Sequence, residues 1–417
     1  MNICFAALSY RPDGEQESGV GSQVRVLAHG LVAAGHSVSV VSLAKDPTIT
    51  DDLGVQIDYV SSGTLHWFVS RVPLVGRVLA LPLREIEYSI AAWRGVRRAN
   101  KTRKIDLIEG TETGMLLVAL LFRKIPVIIR LHGEQYTFHK YTPGMGLTAA
   151  VFLSRLLQRF ALRRAKLLIS PSQAHAEEIS RELRLEHPRI RVVPNCFDVA
   201  EVSSGQNYHR EENTVLFVGR LERVKGVPIL LEAARQVVKE CPTAHFILAG
   251  TSHPTLAPEE IDAMIRRYSL DEHIERRGFL GRRELIDAYR QASVCVMPSH
   301  YESFGLVALE AGACGVPVVG TRVGGLAEVI EHGNTGLLVD SGDASGLAAA
   351  LIQVLTNPSD RKRMGKAAQK RAETKFSSAQ SIALNLCLYE EMQTRLSVSD
   401  QDQLIATFVA RANSEAN

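Results

Sequence analysis

The 417-residue sequence has no C-x-x-C pair, no apolar run long enough to cross a bilayer, no G-x-G-x-x-G fingerprint and almost no net charge. Each absence removes a class of function. Its six cysteines (Cys4, Cys196, Cys241, Cys295, Cys314, Cys387) lie far apart, which argues against a zinc site or a disulfide framework and fits a reducing cytosol. The longest apolar run, "GMLLVALLF" at 114–122, falls short of the roughly 20 residues a bilayer demands and reads as a core helix. The first ten residues, "MNICFAALSY", lack a charged n-region and run straight into a buried strand, so no secretory signal is expected. With 48 basic and 45 acidic residues, the formal charge of +3 is too balanced to signal nucleic acid. The missing dinucleotide fingerprint disfavours an NAD oxidoreductase.

What remains is a globular composition, 46% hydrophobic and 22% charged, on a chain too long for one core, so two domains are expected. Short apolar runs alternate with helix-length segments from end to end. Strands are expected at 2–8, 37–43, 106–110, 126–132 and 166–172, then at 189–195, 214–220, 244–250, 274–279, 293–299, 317–322 and 335–340. Near-continuous apolar strands separated by helices imply parallel sheets covered on both faces. Two such series give an α/β fold of two Rossmann-like doubly wound domains, 1–194 and 195–375, with the polar stretch 201–213 near the boundary. A final amphipathic helix, 376–396, is free to return to the N-terminal domain, and a tail, 397–417, has no periodicity.

Ligands of open α/β sheets gather where strands hand over to helices, so the informative residues should follow the strands. In "SHYESFGLVALEAGACGVPVVG" (299–320) the helix begins about Phe304, and Gly305 and Leu306 open its first turn. Free N–H groups beside a glycine make a phosphate seat. Glu310, one and a half turns on, is long enough to accept from both hydroxyls of a ribose, and Glu302 could address a sugar beyond the phosphates. Arg220 and Lys225, at the end of the 214–220 strand, are two cations able to neutralise a departing diphosphate. His132 ends the 126–132 strand, and Gly19 and Gly21 form a turn whose amides can approach phosphate or acceptor. Alone, each of these is equally a solvated surface charge, a structural histidine or a plain turn; their arrival together after successive strands is what points to a site.

The motifs resemble those of the retaining glycosyltransferases of family GT4, which have the GT-B fold of two Rossmann-like domains facing across a cleft. "ESFGLVALE" (302–310) matches the family's E-x7-E signature, "GRLERVKG" (219–226) its diphosphate clamp, "RLHG" (130–133) its His-Gly turn and "VVPNCFD" (192–198) its interdomain segment. "GVPVVGTRVGGLAEVIEHGNTGLLVD" (315–340) matches the strand and loop beyond the signature helix, and the resemblance runs from residue 1 to about 390. It implies that Arg220 and Lys225 hold the donor diphosphate, Glu310 the ribose and Glu302 the sugar hydroxyls, with His132 near the transferred sugar. It also implies retention of anomeric configuration, no cofactor and no metal. The one D-x-D, Asp400-Gln401-Asp402, lies in the tail and not after a strand.

The expected activity is therefore transfer of a hexose-type sugar from a nucleotide-diphosphate donor, a UDP-sugar foremost and GDP-mannose as the alternative, to a hydroxyl of a sugar, glycolipid or small molecule. A nucleotide-sugar epimerase is disfavoured by the E-x7-E match, and a silent binding homologue by the intact clamp. Residues 71–104 carry nine basic residues against Glu85 and Glu87, interleaved with "VPLVGRVLALPL". A basic, apolar face of this kind suits peripheral contact with an anionic membrane by a cytoplasmic protein, and a solvated helix equally.

Overall fold

The computed structural model describes residues 1–12, 19–73, 75–133, 149–184, 190–203 and 211–394. It divides into two compact units: described residues up to Phe197 together with those from Ser378 onward, and those from Asp198 to Ser377.

The first unit opens with β1 (Asn2–Ala6), α1 (Gly19–Ala33), β2 (Ser37–Leu43), β3 (Ile49–Asp52) and β4 (Val55–Val60). Then come α2 (Leu65–Ser70), α3 (Val75–Thr102), β5 (Leu107–Thr111), α4 (Leu116–Leu121) and β6 (Val127–Arg130). It continues through α5 (Ala149–Arg164), β7 (Leu167–Ser170), α6 (Gln173–Leu183) and β8 (Ile190–Val192). Among the described residues the sheet is eight-stranded, in the order β3-β4-β2-β1-β5-β6-β7-β8. All pairings are parallel except β3 with β4. That hairpin was absent from the expected strands: β3, "ITDD", is largely exposed with one apolar residue, whereas β4, "VQIDYV", is mostly buried and its alternating Val55, Ile57 and Tyr59 were passed over. Its Leu53-Gly54 turn has both residues at positive φ, 52° and 87°, the geometry that joins twisted antiparallel strands in two residues.

The second unit comprises α7 (Val199–Ser203), β9 (Thr214–Val218), α8 (Val227–Glu240), β10 (His245–Ala249), α9 (Pro258–Arg267), β11 (Ile274–Gly278) and α10 (Arg282–Gln291). After these follow β12 (Val294–Met297), α11 (Leu306–Ala313), β13 (Val318–Thr321), α12 (Leu326–Val329), β14 (Gly336–Val339), α13 (Ala344–Thr356) and α14 (Pro358–Lys375). Its six-stranded sheet, β11-β10-β9-β12-β13-β14, is parallel throughout. The centre is apolar: Val215, Phe217, Leu230, Leu248 and Val296 are buried in one cluster. Both sheets are thus of the doubly wound, Rossmann-like kind that the apolar runs imply.

The last described helix, α15 (Ser378–Thr394), packs on α1 of the first unit, where Ile382 sits so close to Gly30 that a Cβ there would lie 2.1 Å from its side chain. Beneath α15 lies a fully buried polar cluster. Arg130 Nε donates to Glu109 Oε1 at 2.8 Å, the Tyr389 hydroxyl donates to Glu109 Oε2 at 2.6 Å, and Arg130 also donates to Asn385. This directional cluster ties α15 to β5 and β6 through Glu109 and Arg130, although Arg130 Nη1 has no hydrogen-bond partner among the described residues.

Candidate functional site

The second unit concentrates most of the expected residues at the carboxyl ends of two neighbouring strands, β9 and β12, which pair directly. After β9 the chain runs through Gly219 to Arg220 and on to Lys225 and Gly226. Gly226 has φ +73°, and a Cβ on it would lie 1.9 Å from the Pro298 carbonyl oxygen, so only glycine lets the loop press against the chain leaving β12. The His300 amide donates to Val224 O at 2.7 Å and ties the two strand ends together. The result is a salt bridge: Lys225 Nζ donates to Glu302 Oε2 at 2.7 Å, with the lysine side chain 25% and the glutamate side chain 14% exposed.

The turn carrying Glu302 is braced from behind by the loop after β13, whose Gly325 amide donates to Glu302 O at 3.0 Å. Gly305, at φ +108°, then opens α11, a conformation that side-chain-bearing residues rarely adopt, and the helix starts here with no side-chain cap. Phe304 is buried edge-on to Phe376, ring centroids 6.0 Å apart, so its ring serves the core and its backbone faces the turn.

Arg220 does not join the Lys225–Glu302 pair. Its Nε donates to Glu222 Oε1 at 3.1 Å, and Glu222 is wholly buried with its other oxygen 3.4 Å from His253 Nδ1. A buried carboxylate therefore holds the inner edge of a guanidinium that is half-exposed at its outer edge.

Glu310 is more engaged than its place in the motif suggests. Its Oε1 accepts from Arg282 Nη1 at 2.5 Å and its Oε2 from the Tyr289 hydroxyl at 2.9 Å. Arg282 also grips Glu201 of α7 through Nε at 3.2 Å and Nη2 at 2.9 Å. Burial alone would lower the Arg282 guanidinium's pKa, but the Glu310 and Glu201 carboxylates raise it instead. Burial, and then the Glu310 charge, push the Tyr289 phenol well above its ordinary value. The Glu310 carboxylate is thus fixed in direction by two donors, and each of its oxygens keeps a lone pair for a further one.

In the first unit, His132 follows β6, and its amide and that of Gly133 both donate to the Glu112 carboxylate, at 3.0 and 2.7 Å. Glu112, just beyond β5, is buried, so one strand end shapes the next. His132 Nε2 is buried with no hydrogen-bond partner among the described residues. Burial first, then the charge of Arg130 and the neighbouring His175, lower the His132 pKa to about 3, so the imidazole is neutral at any working pH. Gly19 and Gly21 lie in the first turn of α1, with Gly21 buried.

Sequence reasoning passed over Glu112, Glu222, Arg282 and Tyr289, which position the residues it singled out. Glu222 had a legible signal, lying inside the "GRLERVKG" motif; the other three are brought in by the fold from 20 to 28 positions away. Among the described residues no group of three or more His, Cys, Asp or Glu side chains is placed to hold a metal. The Asp400–Asp402 pair lies outside the described residues. All six cysteines are free thiols.

Two family models match consecutive parts of the chain: "Glycosyltransferase Family 4" over residues 18–201 and "Glycosyl transferases group 1" over residues 200–371. A D-inositol 3-phosphate glycosyltransferase of Kribbella flavida is 40% identical over 373 residues, covering 82% of this chain and 87% of that protein. The glycogen synthase of Mycobacterium tuberculosis is 28% identical over 387 residues, covering 90% and 91%. Among solved structures, sucrose-phosphate synthase from Thermosynechococcus elongatus superposes with a TM-score of 0.78 at 24% identity, over 95% of this chain and 100% of that one. Anabaena HepE in complex with UDP-glucose superposes at 0.67 with 19% identity, over 95% and 100%.

Proposed function

The chain belongs to the GT4 family of glycosyltransferases with the GT-B fold, and from that premise we propose that it moves a hexose-type sugar from a nucleotide-diphosphate donor to a hydroxyl acceptor, with retention and without a metal. The observation that carries this reading is the Lys225–Glu302 pair at 2.7 Å beside the Gly305 turn. A cation and a carboxylate side by side at two strand ends support this reading, since a sugar diphosphate needs both.

In the unliganded protein these two charges satisfy each other. When the donor binds, Lys225 and Arg220 turn to the diphosphate oxygens, Glu302 accepts from sugar hydroxyls, and the open N–H groups at Gly305 and Leu306 take phosphate oxygens. Glu310, aimed by Arg282 and Tyr289, accepts from the ribose hydroxyls. The bond from the anomeric carbon to phosphate oxygen breaks with its electron pair going to the diphosphate. The acceptor oxygen bonds on the same face, and the leaving phosphate takes the acceptor's proton. His132, neutral, serves the transferred sugar as a hydrogen-bond partner and not as a proton carrier.

The Anabaena protein solved with UDP-glucose supports a UDP-sugar as the first donor to test, with GDP-mannose next. The acceptor is a hydroxyl of a sugar, polyol or glycolipid; the relatives named for inositol phosphate and for glycogen make those two acceptors the natural starting points. Six free thiols support a cytoplasmic location. The test is donor hydrolysis and thermal stabilisation across UDP-, GDP- and ADP-sugars, with and without EDTA. Stabilisation by one donor class, unaltered by EDTA, is expected; strict dependence on a divalent ion would defeat the metal-free reading.

A further inference from the structure

Of the fifteen large apolar side chains exposed among the described residues, ten lie on α2, α3, the link between them, and α5. Scattered single residues of this kind need no explanation, but a concentration does. α5 is apolar on both faces: it buries Val151, Ala161 and Leu162 with Ala150, Ser154 and Gln158, and it also turns Phe152, Leu156 and Phe160 outward, each about half exposed. Spaced four apart, these three form one stripe along the helix. On α3, Val75, Leu79 and Ile86 form a second outward stripe, and α2 adds Trp67 and Phe68. α3 packs against both α2 and α5, so the three helices form one continuous layer.

Charge on this layer is predominantly basic. α5 contains no acidic residue and ends in Arg163 and Arg164, while Arg159, Arg163 and Arg164 line a surface pocket of about 440 Å³ with Leu156 and Phe160. Between 65 and 104 the only acids are Glu85, which is buried, and Glu87, which is taken up by His66 and the Leu65 amide. The Arg71 guanidinium stacks 3.6 Å over the Trp67 ring, placing a cation beside an exposed aromatic. No helix among the described residues is long and apolar enough to cross a membrane.

Exposed aromatics and aliphatics flanked by arginines, with the two acids of the layer buried or paired, complement an interface whose outer layer is anionic and whose inner layer is hydrocarbon. We propose that the layer built from α2, α3 and α5 docks the protein on an anionic phospholipid bilayer, with Phe152, Leu156 and Phe160 entering the acyl boundary and Arg159, Arg163 and Arg164 taking lipid phosphates. This places the lipid contact on α5 as well as on residues 71–104. It stands independently of the donor chemistry.

The test is co-sedimentation of the full chain with vesicles of phosphatidylcholine alone or with about a third phosphatidylglycerol. Binding is expected to the second and not the first, and to fall in high salt. The double substitution Phe152→Ser with Phe160→Ser should lower the partition roughly tenfold or more. Arg159→Ala, Arg163→Ala and Arg164→Ala together should lower it roughly a hundredfold, each variant first checked for an unchanged melting temperature. Trp67, one of only two tryptophans, should shift its emission to the blue on binding. Equal partition of wild type and both variants, or vesicle binding with no Trp67 shift, would overturn the assignment. So would a self-associated species in sedimentation velocity that the phenylalanine substitutions dissolve while vesicles are ignored, since the layer would then bind a second copy. Stabilisation by inorganic phosphate, lost in the arginine variant, without vesicle binding would reduce the pocket to an anion site and also refute it.

Discussion

Replacing Lys225 with alanine separates stability from catalysis. In the resting protein Lys225 holds Glu302 at 2.7 Å, but with a quarter of the lysine side chain exposed the pair is screened and contributes only about 1 kcal/mol. The melting temperature should therefore fall by a few degrees at most. In the proposed reaction the same ammonium would face the charge that develops on the departing diphosphate, and removing one preorganised group of that kind costs about 10²- to 10³-fold in turnover. Lys225→Arg, which keeps the charge on a differently shaped head, should recover much of the loss. The assay is initial-rate turnover at saturating donor, with the melt of each variant measured alongside. Lys225→Ala retaining turnover within about threefold of wild type would refute the clamp, because a solvated surface lysine behaves that way. A melting temperature that collapses in parallel with activity would show Lys225 to be structural.

Further outcomes follow from other parts of the two units. Glu310→Gln should weaken donor binding by roughly 1–3 kcal/mol and erase discrimination between ribose and 2′-deoxyribose donors; equal discrimination in both proteins would remove Glu310 from the ribose. Tyr389→Phe takes the 2.6 Å donor from the buried Glu109 carboxylate and should cost about 1–3 kcal/mol in urea unfolding, with no change in donor affinity. His132→Ala should lower turnover more than donor affinity. Because the folded-state pKa of His132 is depressed to about 3 from an ordinary 6.5, the unfolded chain binds the extra proton between those values, and stability is lost as pH falls through that window. Unfolding of wild type from pH 6.5 downward should therefore steepen by up to about 1 kcal/mol per pH unit relative to His132→Asn; identical pH profiles would contradict the neutral, buried imidazole.

The E-x7-E segment and the "GRLERVKG" loop were legible because their chemistry is local: a glycine turn, a helix start and charges within a few residues of a strand end. The alternation of apolar strands likewise carried the two doubly wound sheets. What was not legible depended on distance or on exposure. Arg282 and Tyr289 reach Glu310 across 28 and 21 positions, and no local pattern marks a side chain as another's orienting partner. The exposed edge strand β3 escaped because it needs few apolar residues, but β4 carried a legible alternation, Val55, Ile57 and Tyr59, and the Leu53-Gly54 turn marked the join. The outward stripe of α5 escaped for the opposite reason: Phe152, Leu156 and Phe160 have helical spacing, and such spacing ordinarily marks the face that is buried.

Nuclear magnetic resonance of the first-formed product, made from an α-linked nucleotide sugar and recorded before any anomeric equilibration, tests the central reading most directly. In the proposed reaction Lys225 and Arg220 hold the diphosphate and the acceptor enters on the leaving-group face, so the new linkage should be α. A β-linkage would contradict the retaining reaction, even if every donor contact at Glu302, Gly305 and Glu310 were upheld.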